Sequence, residues 1–126
     1  MTFAFWCVLI AALMPIVFAG IAKAGGDSYD NRNPRAWLSR QAGWRQRANW
    51  AQQNTIEAFP PFAAAVIIAH LAAAPQAAIN ALAVSFIAIR IVYGYCYIQD
   101  HHLARSLVWL AGLACVIALF VVAALA

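Results

Sequence analysis

Long apolar runs separated by short polar stretches dominate this sequence. Four of them reach the roughly 20 residues that a helix needs to cross a bilayer, and they cover residues 3–22, 50–74, 76–98 and 103–126. The second run keeps that length although Glu57, Pro60 and Pro61 interrupt it. No stretch alternates polar and apolar residues with a period of two, so a barrel of strands is not the expected fold. The pattern predicts an all-α integral membrane protein, with four helices forming a single domain over residues 1–126.

The composition supports a membrane location. Of the 126 residues, 66% are hydrophobic and only 10% are charged, which is too little polar surface to cover a soluble domain of this length. The letters AKA at residues 22–24 resemble a signal-peptide cleavage site. However, no basic residue precedes the first apolar run, so we interpret that run as a retained helix. The cysteines at positions 7, 96 and 115 lie singly in apolar runs and predict no disulfide framework.

The basic residues predict the orientation. Six of the eight lie between the first and second runs, and they are Lys23, Arg32, Arg35, Arg40, Arg45 and Arg47. Arg105 follows the third run, whereas the connection between the second and third runs has no basic residue. The positive-inside rule therefore predicts that both polar loops are cytoplasmic and that both termini lie across the membrane. Anionic lipid accounts for the net charge of +4, so we expect membrane lipid as a partner and no nucleic acid.

The long polar loop contains a helix start. Asn33 is a favourable cap and Pro34 suits the first helical position. No breaker follows, so the pattern predicts one helix that begins at Pro34, outside the bilayer, and continues into the second run. Two interpretations of this segment remain open, a membrane-surface anchor and a ligand-binding element.

An acid in an apolar helix needs a partner, because an ionised carboxylate is costly in hydrocarbon. Glu57 lies one turn after Asn54, and Arg90, Tyr93 and Tyr97 share one face of the third run. At about 1.5 Å per residue, Glu57 is roughly 10 Å and Arg90 roughly 12 Å below the cytoplasmic interface. These depths predict a Glu57–Arg90 ion pair. Such a pair is consistent either with a structural pin between two helices or with a polar binding site.

Two motifs carry a family resemblance. In the second run, an Arg-Ala-rich approach leads to Asn54, Glu57 and Pro60. In the third and fourth runs, the motif consists of Arg90, Tyr93, Tyr97, Arg105 and Ser106. In this order on a four-span chain, they resemble the MAPEG family, the membrane-associated proteins of eicosanoid and glutathione metabolism. The motif sequences are most similar to those of the small bacterial members. This similarity implies that the protein is located in the bacterial inner membrane.

The resemblance implies a homotrimer of four-helix subunits that binds glutathione between neighbouring subunits near the cytoplasmic surface. It assigns the cleft to Gln52, Asn54, Glu57, Arg90, Tyr93 and Tyr97. Arg105 matches the arginine that stabilises the glutathione thiolate, which would make it catalytic. The implied activity is that of a glutathione-dependent transferase or peroxidase acting on a lipophilic small molecule that reaches the site through the bilayer.

One position departs from the family pattern. Glutathione-using members usually carry Arg four residues before the Asn, where this chain has Trp50. Arg47, one turn earlier, is the candidate to replace it. The departure motivates an alternative function, a non-catalytic membrane scaffold or accessory subunit that retains the fold.

Two other functions are less favoured. His101 and His102 are adjacent with only Asp100 nearby, which is typical of a solvated turn rather than a metal site. After the glutathione-dependent enzyme and the scaffold, a small transporter is a third possible function. It is less favoured, because four spans are few for a transporter and the sequence shows no inverted repeat.

Overall fold

Four long apolar helices form the protein. The structure, a computed structural model, describes residues 1–26 and 28–126. Its helices are α1 Phe3–Lys23, α2 Pro34–Ser39, α3 Gly43–Leu71, α4 Gln76–Ile98 and α5 His102–Ala124. All but α2 are long and apolar enough to cross a membrane. This is the all-α membrane architecture that the apolar runs predict.

The interior and the surface of the bundle are both apolar. Helix α1 packs along α3, α4 packs along α5, and α3 and α4 also contact each other. Between these two helices the rings of Phe62 and Phe86 stack with their centroids 4.0 Å apart. On the outside, large apolar side chains such as Ile16 and Leu107 are two-thirds exposed. A surface of this kind is suited to lipid contact rather than to water.

Helix α2 begins as the sequence predicts but ends earlier. The Asn33 side chain accepts a hydrogen bond from the Ala36 N–H at 3.4 Å, and Pro34 occupies the first turn. The prediction of one helix running from Pro34 into the membrane is wrong, because α2 ends at Ser39 and α3 begins at Gly43. Gly43 has a φ of +65°, a conformation that glycine adopts without steric cost.

The break allows α2 to fold back onto the bundle. Trp37 and Leu38 of α2 are buried against Ala22 of α1 and Ala48 of α3. Burying side chains of this size contributes about 1.5–3 kcal/mol each, and a straight extension of α3 would leave them exposed. Tertiary packing therefore overrides the local helical pattern.

The prolines of α3 do not end the helix. Pro60 and Pro61 lie inside Gly43–Leu71, which is helical throughout. Because proline has no N–H, the carbonyls four residues earlier, on Ile56 and Glu57, have no helical donor. The backbone next to Glu57 thus presents additional acceptors at the depth where the polar residues gather.

Arginines close the basic end of the bundle. The Arg45 guanidinium donates to the Ala24 carbonyl at the end of α1, at 3.0 Å. Arg47 donates through Nε to the Ile98 carbonyl at the end of α4, at 2.9 Å. Cations at helix C-termini satisfy terminal carbonyls and complement the helix dipole. The ends of α1 and α4 and the start of α3 therefore lie together, and the polar residues of α3 and α4 lie just inside this end.

A separate polar network closes the opposite end. The Asn80 side-chain oxygen accepts from the Ala4 N–H at 3.1 Å and from Gln76 Nε2 at 2.8 Å. The Thr2 hydroxyl lies 3.0 Å from Nε2 of His70, whose ring stacks on Phe5. This network ties the start of α1 to the turn between α3 and α4.

Candidate functional site

Arg90 lies almost wholly inside the bundle. Only 3% of its surface is exposed. Its Nη2 donates to Oδ1 of Asn54 at 3.0 Å and to Oγ1 of Thr55 at 2.9 Å, and its guanidinium lies 4.1 Å from the centre of the Tyr93 ring. Its buried Nε has no hydrogen-bond partner in the described part of the chain. The side chain is thus held by neutral groups and an aromatic face.

The predicted Glu57–Arg90 ion pair is wrong. Within residues 1–26 and 28–126, no carboxylate oxygen lies within 4.0 Å of an Arg90 nitrogen. Glu57 is exposed, whereas Arg90 turns inwards to Asn54 and Thr55. Those two acceptors precede Glu57 by one turn or less, so they intercept the guanidinium before it reaches the carboxylate. Among the described residues, the charge of Arg90 therefore has no carboxylate partner.

Glu57 and Arg90 nevertheless line one cavity. This inner cavity, of about 190 Å³, lies among α3, α4 and α5. Asn54, Glu57 and Arg90 supply its polar side. Its remaining lining is largely apolar and consists of Ala58, Pro61, Phe86, Trp109, Gly112, Leu113 and Val116. Glu57 and Arg90 therefore lie at a similar level of the bundle.

Outside the inner cavity lies a second depression, the polar groove, which has a volume of about 370 Å³. It is lined by Trp50, Gln53, Asn54, Glu57 and Tyr97. Because Asn54 and Glu57 line both spaces, they form the boundary between the groove and the inner cavity. Trp50, which stands where the family pattern has Arg, is 42% exposed, and its ring centroid lies 6.3 Å from that of Tyr97.

Two tyrosine rings in contact connect the buried Arg90 to Arg105. The Tyr93 ring, which contacts Arg90, meets the Tyr97 ring edge-on at a centroid distance of 5.7 Å. The Arg105 guanidinium lies 4.4 Å from the centre of the Tyr97 ring. Arg105, Tyr93 and Tyr97 also line a depression of about 230 Å³ with Ser106 and Trp109. Cation–π contacts of this kind hold each guanidinium without neutralising its charge.

Two predicted site residues, Arg47 and Gln52, line neither the polar groove nor the inner cavity. Arg47 is engaged with the Ile98 carbonyl. Gln52 is half-buried and lies two residues before Asn54, which on a helix is a rotation of about 160° away from the groove-facing side. The structure thus brings together Asn54, Glu57, Arg90, Tyr93, Tyr97 and Arg105.

Sequence reasoning missed Thr55 and Trp109. Thr55 is 3% exposed and bonds both Arg90 and the Ala51 carbonyl. The available signal was a hydroxyl residue inside an apolar run, directly after Asn54, because such a residue needs a buried partner. Trp109 follows Arg105 by one helical turn, and this spacing places both on one face of α5.

The arrangement favours an anionic ligand with an apolar partner. Two guanidinium groups, neither paired to a carboxylate in the described residues, attract negative charge into the groove. Arg recognises a carboxylate through two parallel hydrogen bonds. The exposed Glu57 carboxylate suits a cation on the same ligand, and the apolar lining of the inner cavity suits a lipophilic molecule.

Comparison with known proteins supports one family. The sequence model of the MAPEG family matches residues 3–125. No curated protein and no solved structure matched the chain. The family match covers nearly every residue, including all four membrane-spanning helices and the clustered polar residues between α3 and α5. The protein therefore belongs to the MAPEG family of integral membrane proteins.

Proposed function

We propose that this protein is a glutathione-dependent transferase acting on lipophilic electrophiles. The main support is the buried guanidinium of Arg90, which lines the inner cavity next to the groove-lining Asn54 and has no carboxylate partner among the described residues. In a membrane helix, an ionisable group without a counter-charge is a functional-site candidate. Here the ligand supplies the missing anion.

Glutathione fits the residues that are present. Its carboxylates match the cationic character of Arg90, its thiolate matches that of Arg105, and its ammonium matches the exposed carboxylate of Glu57. Nε of Arg90, which has no partner among the described residues, is a further donor that lacks an acceptor. Asn54, Glu57 and Arg90 would bind and orient the tripeptide, together with Tyr93 and Tyr97.

Arg105 is the proposed catalytic residue. A guanidinium beside a thiol lowers the pKa of the thiol and raises the thiolate fraction at neutral pH. When bound, glutathione supplies the sulfur nucleophile that forms a bond to an electrophilic carbon while the leaving group departs with the bonding electrons. Arg105 holds the thiolate, and the apolar side of the inner cavity excludes water and holds the electrophile.

A homotrimer completes the site in this proposal. The polar groove lies on the outer surface of a bundle that is otherwise apolar. An exposed carboxylate at membrane depth is costly in contact with lipid. A second copy of the chain packed over α3, α4 and α5 would cover Glu57 and enclose the ligand. A trimer gives each groove a neighbour.

The proposed location is the bacterial inner membrane, with the basic end of the bundle in the cytoplasm. Basic residues gather at the end formed by the starts of α2 and α3 and the ends of α1 and α4. The positive-inside rule places this end in the cytoplasm, where glutathione would enter the groove.

The proposal is tested by conjugation kinetics on the protein in detergent. We expect the parent to conjugate glutathione to a chlorodinitrobenzene, and Arg105→Ala to lower the rate by roughly 10²-fold at neutral pH. Removal of the guanidinium raises the pKa of the bound thiol, so the pH–rate profile of Arg105→Ala shifts to higher pH. Arg40→Ala, which removes an exposed arginine of the loop, is the matched control.

An Arg105→Ala rate and pH profile equal to those of the parent would remove the catalytic role of Arg105.

A non-catalytic scaffold or accessory subunit is the second candidate function, and Trp50 in place of a cation in the groove favours it. Complete absence of conjugation by the folded parent, across several electrophiles, would support that second function instead.

A further inference from the structure

The Thr55 hydroxyl has both of its hydrogen-bonding roles fixed. It donates to the Ala51 carbonyl one turn earlier, at 2.7 Å. It also lies 2.9 Å from Nη2 of Arg90. Because a guanidinium has only donors, the hydroxyl oxygen must be the acceptor in the second contact. The Thr55 O–H thus donates a hydrogen bond to the Ala51 carbonyl, and the lone pairs of the Thr55 oxygen accept from Arg90.

Thr55 and Asn54 together hold one edge of the Arg90 guanidinium. Both accept from Nη2, at 2.9 Å and 3.0 Å, while the Tyr93 ring covers one face of the group. Nε of Arg90 has no partner within the described residues. The hydroxyl therefore fixes the orientation of the Arg90 guanidinium. It does not neutralise the charge of this group, and it leaves the Nε donor without an acceptor among the described residues.

We infer that Thr55 is a positioning residue, which orients Arg90 towards a ligand carboxylate without neutralising it. A carboxylate at position 55 would hold Arg90 equally well but would cancel its charge. A neutral acceptor that is itself anchored to the backbone avoids this. The inference rests on the proposed function, because it takes glutathione as the source of the carboxylate.

The test compares Thr55→Val, which keeps the shape of the side chain, with Thr55→Ser, which keeps the hydroxyl. Calorimetry measures the affinity of each purified protein for glutathione and for its diester, in which both carboxylates are blocked. We expect Thr55→Val to weaken glutathione binding roughly tenfold, because a hydrogen bond to a charged group is lost. We expect Thr55→Ser to bind within about twofold of the parent.

The diester separates positioning from general disruption. Since it offers Arg90 no carboxylate, its weak affinity is expected to be equal in the parent and Thr55→Val. Melting temperatures check folding, and Ser85→Ala, at an exposed position of α4, is the control. If Thr55→Val does not fold, Thr55→Ala replaces it, because the smaller side chain leaves room for a water molecule to accept from Arg90.

Three results would overturn the inference. The first is glutathione binding by Thr55→Val equal to that of the parent, and the second is a loss in Thr55→Ser as large as in Thr55→Val. The third is an equal loss for glutathione and for its diester. A parent that does not bind glutathione contradicts the proposed function itself and removes the inference with it, so the two failures are distinguishable.

Discussion

At the scale of single residues, the main feature is a buried positive charge held by neutral partners. Arg90 is bonded by Asn54 and Thr55 and covered by the Tyr93 ring. A buried ion left without a counter-ion costs several kcal/mol. Arg90 lines the inner cavity beside the polar groove, where an anionic ligand would compensate its charge.

Glu57→Gln tests how the acid next to Arg90 is used. Because Glu57 is exposed and is not paired with Arg90, we expect the melting temperature in detergent to change by an amount equivalent to less than about 1 kcal/mol. Glutathione affinity is expected to fall several-fold, because the ligand ammonium loses its carboxylate. A large drop in melting temperature would show that an ion pair with Arg90 forms after all.

At the scale of helices, a glycine of α4 lets that helix approach α1 closely. Gly94 of α4 lies directly against the ring of Phe18, so that a Cβ at this position would overlap the ring. Small residues at such crossings let membrane helices approach closely. The contact holds α4, and with it Arg90 one turn earlier, against the rest of the bundle.

Gly94→Ala is therefore expected to destabilise the bundle by about 1–3 kcal/mol, because the added methyl group forces Phe18 or the backbone to move. Thermal unfolding in detergent measures the change. Gly20→Ala is the matched control, since a Cβ at Gly20 meets no atom within 4 Å. A loss that is equally small in both variants would mean that α1 and α4 adjust freely. Replacement of Phe18 by Leu in the Gly94→Ala protein should restore part of the loss.

The sequence pattern predicts where the helices lie in the chain, but it predicts poorly which side chains of different helices contact each other. The apolar runs predict the four spans, and the i, i+3, i+7 spacing of Arg90, Tyr93 and Tyr97 predicts the face that they share. The break between α2 and α3 depends on the burial of Trp37 against residues distant in sequence, which no local pattern encodes. Arg90 bonds to Thr55 and not to Glu57. This preference likewise depends on side-chain rotamers and on small differences in the spacing of α3 and α4, which the sequence does not reveal.

At the scale of the whole molecule, the polar groups form one connected path at the basic end of an apolar bundle. It runs from Arg90 through Tyr93 and Tyr97 to Arg105. Along this path, Arg90 lines the inner cavity and Tyr97 lines the polar groove. A polar space and an apolar space therefore lie next to each other at this end of the bundle.

Calorimetric titration of the parent and Arg90→Met with glutathione measures whether the buried charge of Arg90 binds the ligand. Methionine fills similar space without the charge, and removal of an uncompensated buried charge is not expected to lower the melting temperature. We predict saturable binding to the parent and at least roughly a hundredfold weaker binding to a folded Arg90→Met, as expected when a desolvated charge contact is lost. Equal affinity in the two proteins, or no binding to the parent, would contradict the account.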